Sequence, residues 1–97
     1  MSEETFYLVA KMTAAPGKYD ELHERLLEMV RLTNQEPSMI AYDLYKDLED
    51  SNTFCFIESW SSKAAWDIHM EMPHVKALIA DQYDLTSGIN IARLNRI

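Results

Sequence analysis

In Thr53-Phe54-Cys55-Phe56-Ile57-Glu58-Ser59-Trp60, the residues Phe54, Phe56 and Trp60 alternate with Cys55 and Ile57. That is the two-residue period of a β-strand. Both sets are apolar, so both faces of this strand need cover. Just before it, Met39 to Lys46 is a second strand pattern, joined to the first through Asp47-Leu48-Glu49-Asp50-Ser51-Asn52, a polar, turn-rich link suited to an antiparallel hairpin. Nearer the start, Thr5 to Thr13 alternates Phe6, Leu8, Ala10 and Met12 with Tyr7, Val9 and Lys11, which predicts another strand.

Between the first and second strands the period changes. From Lys18, after Ala15-Pro16-Gly17, the residues Tyr19, Leu22, Leu26, Met29, Val30 and Thr33 share one helical face, and Asp20, Glu21, Glu24, Arg25, Glu28 and Arg31 share the other. This predicts an amphipathic helix stopped by Glu36-Pro37-Ser38. After Trp60, Ser61 or Ser62 can cap a second helix running through Met70, and Pro73 permits a new helical turn continued by Val75, Leu78, Ile79 and Gln82 or Tyr83. Thr86-Ser87-Gly88 is expected to turn into a last strand, Ile89 to Leu94.

The order strand-helix-strand-strand-helix-strand predicts an α+β domain in which four antiparallel strands carry two helices on one face. The sheet face opposite the helices is also partly apolar, which predicts a homodimer formed sheet to sheet. The 97 residues fit a single domain, 1–97, with no internal repeat or low-complexity linker.

Nine Lys and Arg against sixteen Asp and Glu give a net charge of −7, which repels phosphate backbones and anionic membranes and argues against a nucleic-acid or membrane partner. No apolar run approaches the roughly 20 residues of a spanning helix, and Met1-Ser2-Glu3-Glu4 lacks the basic start of a signal peptide. The single cysteine, Cys55, fits a reducing compartment, so a cytoplasmic location is expected.

Glycine-rich phosphate loops, Cys-x-x-Cys and His-Glu-x-x-His are missing from the sequence, and two glycines cannot build a dinucleotide fingerprint. Chemistry concentrates instead between Glu58 and Val75, where Glu58, Trp60, Trp66, His69, Met70 and His74 fall close together. Each has a purely structural reading as well. His69 can hydrogen-bond a backbone carbonyl, His74 can cap or pack at a helix start, Trp60 and Trp66 can fill the core, and Glu58 can pair with Arg93. Tyr42 and Tyr45 lie on opposite strand faces, and Cys55 suits a small apolar core position. His69 and His74, five positions apart across Pro73, are not expected to converge on a metal, and no third ligand is apparent.

Several blocks together carry a resemblance: Ala15-Pro16-Gly17-Lys18, Glu36-Pro37, Tyr42-Asp43-Leu44-Tyr45, Glu58-x-Trp60 and His69-x-x-x-Pro73-His74. Across nearly the whole chain the sequence resembles the antibiotic biosynthesis monooxygenase family, in particular its quinol-monooxygenase-like members. The resemblance implies a ferredoxin-like βαββαβ subunit, a dimeric α/β-barrel and a pocket between sheet and helices. It also implies oxygenation of a quinol or phenol by O2 without flavin, haem or metal cofactor. His69, able to accept a proton near neutral pH, is the expected catalytic base. Phe56, Trp60, Trp66 and Met70 are expected to supply apolar surface, and Tyr42, Glu58 and His74 to orient a hydroxyl or carbonyl.

The chain departs from the family pattern at two positions. Phe56 stands where polyketide-modifying members have asparagine, and Trp66 where they have tyrosine. Against the haem-degrading members, Ala10, His69 and Ile79 replace the asparagine, tryptophan and histidine which that reaction needs. Two alternatives to an oxygenase remain: an isomerase of a small enolisable ketone, and a non-catalytic dimer binding a hydrophobic metabolite.

Overall fold

The computed structural model describes residues 4–97. Its elements are β1 (Phe6–Ala14), α1 (Tyr19–Thr33), β2 (Met39–Lys46), β3 (Thr53–Trp60), α2 (Lys63–His69), α3 (Pro73–Leu85) and β4 (Thr86–Leu94). The strands form one antiparallel sheet in the order β2-β3-β1-β4, as the predicted α+β plan requires. None of the helices among the described residues is long and apolar enough to cross a membrane.

Two boundaries differ from the sequence expectation. The second helical segment is two helices, because the chain tightens after α2 and Pro73 restarts it. Ser62 accepts the Ala65 N–H at 3.0 Å to begin α2, and the amides of Glu71 and Met72 then reach back to the carbonyls of Ile68 and His69. Pro73, which has no amide hydrogen to satisfy, opens α3. The second difference is β4, which starts at Thr86 with no turn before it. Leu85 accepts the Ala15 N–H at 2.9 Å, Thr86 donates its hydroxyl to the Gln82 carbonyl, and Ala14 pairs with Thr86 across an irregularity in β1. The helix end is thus tied to the sheet, and the expected Thr86-Ser87-Gly88 turn is strand instead.

Alternation sorts the strands into two faces. Phe6, Leu8 and Ala10 of β1, Tyr42 of β2, and Phe54, Phe56, Glu58 and Trp60 of β3 are buried toward the helices. Helix α1 closes this core with Leu22 and Leu26, both fully buried, together with Met29 and Thr33. Its edge is Tyr19, whose ring lies 5.0 Å from that of Phe54. The chain enters α1 through Gly17 at φ +77°, with the Lys18 amide bonded to the Ala15 carbonyl, a turn that other residues adopt only under strain.

The opposite face carries Val9, Tyr45, Cys55, Ile57, Ala92 and Leu94. Tyr42 and Tyr45 do lie on opposite faces, while Cys55 is half-buried and outside the core expected for it. Tyr45, Ile57 and Leu94 are about half exposed in the single chain.

Leu26 tests this packing. Leu26→Ala should lower unfolding stability by about 2–5 kcal/mol, whereas Leu27→Ala, half exposed on the same helix, should change it by about 0.5 kcal/mol or less. Urea unfolding of the two variants measures the difference.

Candidate active site

A cavity of about 80 Å³ lies between the sheet and the helices. Its walls are almost wholly apolar: Leu8, Ala10 and Phe56 on the sheet side, and Met29, Trp66, Met70, Val75 and Leu78 on the helix side. Ile89 and Ile91 of β4 line it while remaining 37% and 44% exposed, so the cavity opens toward that edge. Its titratable groups are Tyr42, Glu58 and His69.

His69, the last residue of α2, is 3% exposed and wedged between aromatic rings, with centroids 4.5 Å from Trp60 and 5.7 Å from Tyr42. Its Nδ1 lies 2.8 Å from Oε2 of Glu36. A carboxylate oxygen accepts hydrogen bonds, so the ring proton belongs on Nδ1. Among the described residues Nε2 has no hydrogen-bond partner, which leaves it a lone pair to offer a ligand. Burial pushes the His69 pKa below its ordinary value, against the pull of Glu36, which favours the neutral imidazole.

Glu36 is held on both sides. The same Oε2 accepts from Nε2 of His74 at 3.0 Å, and the Thr33 hydroxyl lies 3.3 Å from that nitrogen. The carboxylate is 8% exposed. Glu36 comes into place because α1 ends at Thr33 and its amide bonds the Thr33 carbonyl at 3.0 Å. His74 follows Pro73 in the first turn of α3. One carboxylate therefore joins the end of α1, the end of α2 and the start of α3.

Glu58 sits opposite Leu8 and Tyr42 in the sheet register and is 5% exposed. The Trp60 indole N–H donates to its Oε1 at 3.0 Å, and Oε2 has no hydrogen-bond partner among the described residues. Burial pushes its pKa up to about 7, with the Trp60 hydrogen bond opposing. Burial also pushes the Tyr42 hydroxyl well above its ordinary range, helped by nearby Glu58, so Tyr42 is a neutral donor or acceptor.

Of the residues the sequence singled out, the structure brings Tyr42, Phe56, Glu58, Trp66, His69 and Met70 to the cavity. Trp60 and His74 are not on its wall. Trp60 lies behind His69 and binds Glu58, and His74 lies behind Glu36. Two structural alternatives are set aside and one expectation is corrected. His69 bonds a carboxylate rather than a backbone carbonyl, Glu58 pairs with the Trp60 indole rather than with Arg93, and His69 and His74 do converge. With Glu36 as the third group, their ligand atoms all lie within 4.8 Å of one another, because the turn between α2 and α3 folds the two rings together. Glu36, Thr33 and Gln82 were missed as site residues. For Glu36 the sequence held one clue: two histidines near a buried region need an acceptor, and a carboxylate next to a helix-stopping proline can supply one.

The buried Glu58 gives a pH test. Its folded-state pKa of about 7 lies above the ordinary carboxyl value of 4.5, so the folded chain holds this proton more tightly than the unfolded chain. That contribution is fully present below about pH 4.5 and is lost as pH rises through about 7, a loss of roughly 3 kcal/mol when complete. Glu58→Gln, which does not titrate, should gain about 2–3 kcal/mol on the native chain between about pH 4.5 and 8.5, measured by denaturant unfolding across that range.

Comparison with known proteins agrees with this architecture. The sequence profile described as antibiotic biosynthesis monooxygenase matches residues 5–81. YcnE of Bacillus subtilis, provisionally named a monooxygenase, is 29% identical over 84% of this chain and 85% of its own length. The uncharacterised sll1783 of Synechocystis is 25% identical over 87% of this chain, which spans 57% of that protein's length. Among solved structures, PA3566 of Pseudomonas aeruginosa superposes with a TM-score of 0.92 at 30% identity, covering 100% of this chain and 98% of the other. The profile match spans most of the chain and includes every strand except β4, and on that ground the protein belongs to the antibiotic biosynthesis monooxygenase family.

Proposed function

We propose that the cavity binds an electron-rich quinol or phenol and that His69 starts its oxygenation by removing a phenolic proton at Nε2. The observation that carries this reading is the placing of His69. A buried carboxylate holds Nδ1, so the opposite nitrogen is the one left to accept a proton beside an apolar cavity. Glu36 acts as a positioning residue, fixing the ring and its tautomer and stabilising the imidazolium as it forms.

The phenolate that results is a better electron donor to O2 than the phenol. For a hydroquinone, electron transfer and recombination form a carbon–oxygen bond to the ring. Cleavage of the O–O bond then leaves one oxygen atom in a hydroxyquinone and releases the other as water. The substrate supplies all four electrons, and its two lost hydrogens leave in that water. Apolar walls keep the reacting pair from bulk water, and Tyr42 and Glu58 are placed to hydrogen-bond a second substrate oxygen. The sparse charge of the lining suits a neutral aromatic better than an anion. The curated relative's provisional naming supports the same class of reaction.

Glu58 favours a second reading. A carboxyl with a pKa near 7 and a neutral imidazole in one cavity form an acid–base pair that could enolise a small ketone and return its proton at another carbon. Oxygen uptake with a panel of hydroquinones and phenols separates the two. The oxygenase reading expects uptake that falls roughly a hundredfold or more in His69→Ala. In Glu36→Gln it expects a lower kcat with little change in KM. Exchange of solvent deuterium into a ketone without oxygen uptake would transfer the assignment to the isomerase. A ligand bound and recovered unchanged would assign a binding protein.

We further propose that the apolar sheet face pairs with the same face of a second copy, and that the homodimer acts in the cytoplasm, where Cys55 stays reduced. Light scattering should give twice the chain mass for the native protein. Ile57→Glu, which sets a charge in the middle of that face, should give the monomer mass with its helical content retained.

A further inference from the structure

Glu36 lies in the connection after α1, His69 at the end of α2 and His74 at the start of α3. These separate segments bring one carboxylate oxygen and two imidazole nitrogens within 4.8 Å of one another. All three side chains are largely buried, at 8%, 4% and 15% exposure. Among the described residues, Glu36 has no lysine or arginine partner; its only ion-pair candidates are the two histidines. A buried carboxylate without a fixed cation is costly, and a bound cation would supply the missing charge.

We propose that Glu36, His69 and His74 form a binding site for one divalent transition-metal ion of the zinc or cobalt type. Two imidazoles and one carboxylate are a donor set such ions accept, with a fourth position left for water. Both ring nitrogens already aim at one point, Oε2 of Glu36, from 2.8 and 3.0 Å. A tetrahedral ion with bonds of about 2.0–2.1 Å holds its ligand atoms roughly 3.3 Å apart. The ion's place opens when the carboxylate withdraws by a fraction of an ångström and the two ring nitrogens, which lie within 4.8 Å of each other, settle to that spacing. The Thr33 hydroxyl, 3.3 Å from His74 Nε2, is the next polar group and can bond the fourth ligand.

Occupancy has a consequence for the cavity. An ion on Nδ1 of His69 requires the lone pair there, so the ring proton moves to Nε2. That nitrogen then donates where it had accepted, and the ion and a substrate proton exclude each other. This consequence rests on the proposed base role of His69, whereas the ion site itself does not.

Cobalt(II) added to chelator-treated protein, with no substrate present, tests the site. The expected result is one ion per chain, with the visible absorption of a four-coordinate centre, displaced by zinc. His74→Asn and Glu36→Gln should each weaken binding by more than the roughly 10–100-fold of an outer-shell change, and His23→Asn, on the exposed face of α1, should leave it unchanged. Either of the two ligand variants suffices if it unfolds cooperatively. Absence of the absorption, or binding that survives both ligand substitutions or is lost in His23→Asn, overturns the site. Zinc that occupies the site without slowing oxygen uptake overturns the proposed link to His69 and leaves the site standing.

Discussion

The hydrogen bonds that converge on Oε2 of Glu36 organise the helical layer. Three segments meet there, and none of them is joined to the others by the sheet's own hydrogen bonds. The connection after α1 is tied to the end of α2 and the start of α3 by one carboxylate oxygen accepting from His69 and His74. A partner carboxylate in a buried site does more than it could on a surface, because water cannot substitute for it. Its effect reaches the cavity through a single ring: with Nδ1 committed, His69 has one nitrogen left, and its orientation follows.

That ring is held from the other side by Trp60. The indole lies tilted against the His69 ring at 4.5 Å and donates its N–H to Glu58 at 3.0 Å, so a single side chain braces the histidine and supports the carboxyl. Glu58 and His69 thereby enter the cavity with opposite tendencies. Burial disfavours the charged form of each, raising the carboxyl pKa and lowering that of the imidazole. Near neutral pH the site can thus carry a proton on the acid and a lone pair on the base while bearing little net charge, which is the condition an apolar aromatic ligand needs.

The sheet and α1 were legible in the sequence because their signals are periodic. Alternation in Thr53–Trp60 and the spacing of Leu22, Leu26, Met29 and Thr33 each survive as burial patterns. The break between α2 and α3 was half legible, since Pro73 marks a start but the preceding turn depends on the amides of Glu71 and Met72 finding carbonyls. The start of β4 was not, because Thr86-Ser87-Gly88 looks like a turn until the Leu85 carbonyl is bonded to Ala15, seventy residues away in the chain. Within the site, His69, Tyr42 and Glu58 could be named by residue type and position. Glu36 had only the clue of its place beside a helix-stopping proline, because its role depends on two rings from a distant segment, and local spacing gives no measure of that distance. The same limit explains why His69 and His74 were expected to diverge.

Strand β4 shows what the isolated chain leaves unfinished. From Ser87 to Leu94 every residue is exposed, although the strand pairs with β1 from Gly88 to Leu94 along one edge. A strand that buries neither face gains backbone hydrogen bonds but almost no hydrophobic stabilisation, and its free edge invites further pairing. Yet Ile89, Ile91 and Leu94 are apolar, and the first two line the cavity from its open side. On the opposite face, Ala92 and Leu94 continue the apolar band of Val9 and Ile57 across the sheet. Covering that band with a second copy would bury one face of β4 and brace, from behind, the wall that Ile89 and Ile91 present. In the proposed dimer, assembly and the shape of the cavity thus depend on the same strand.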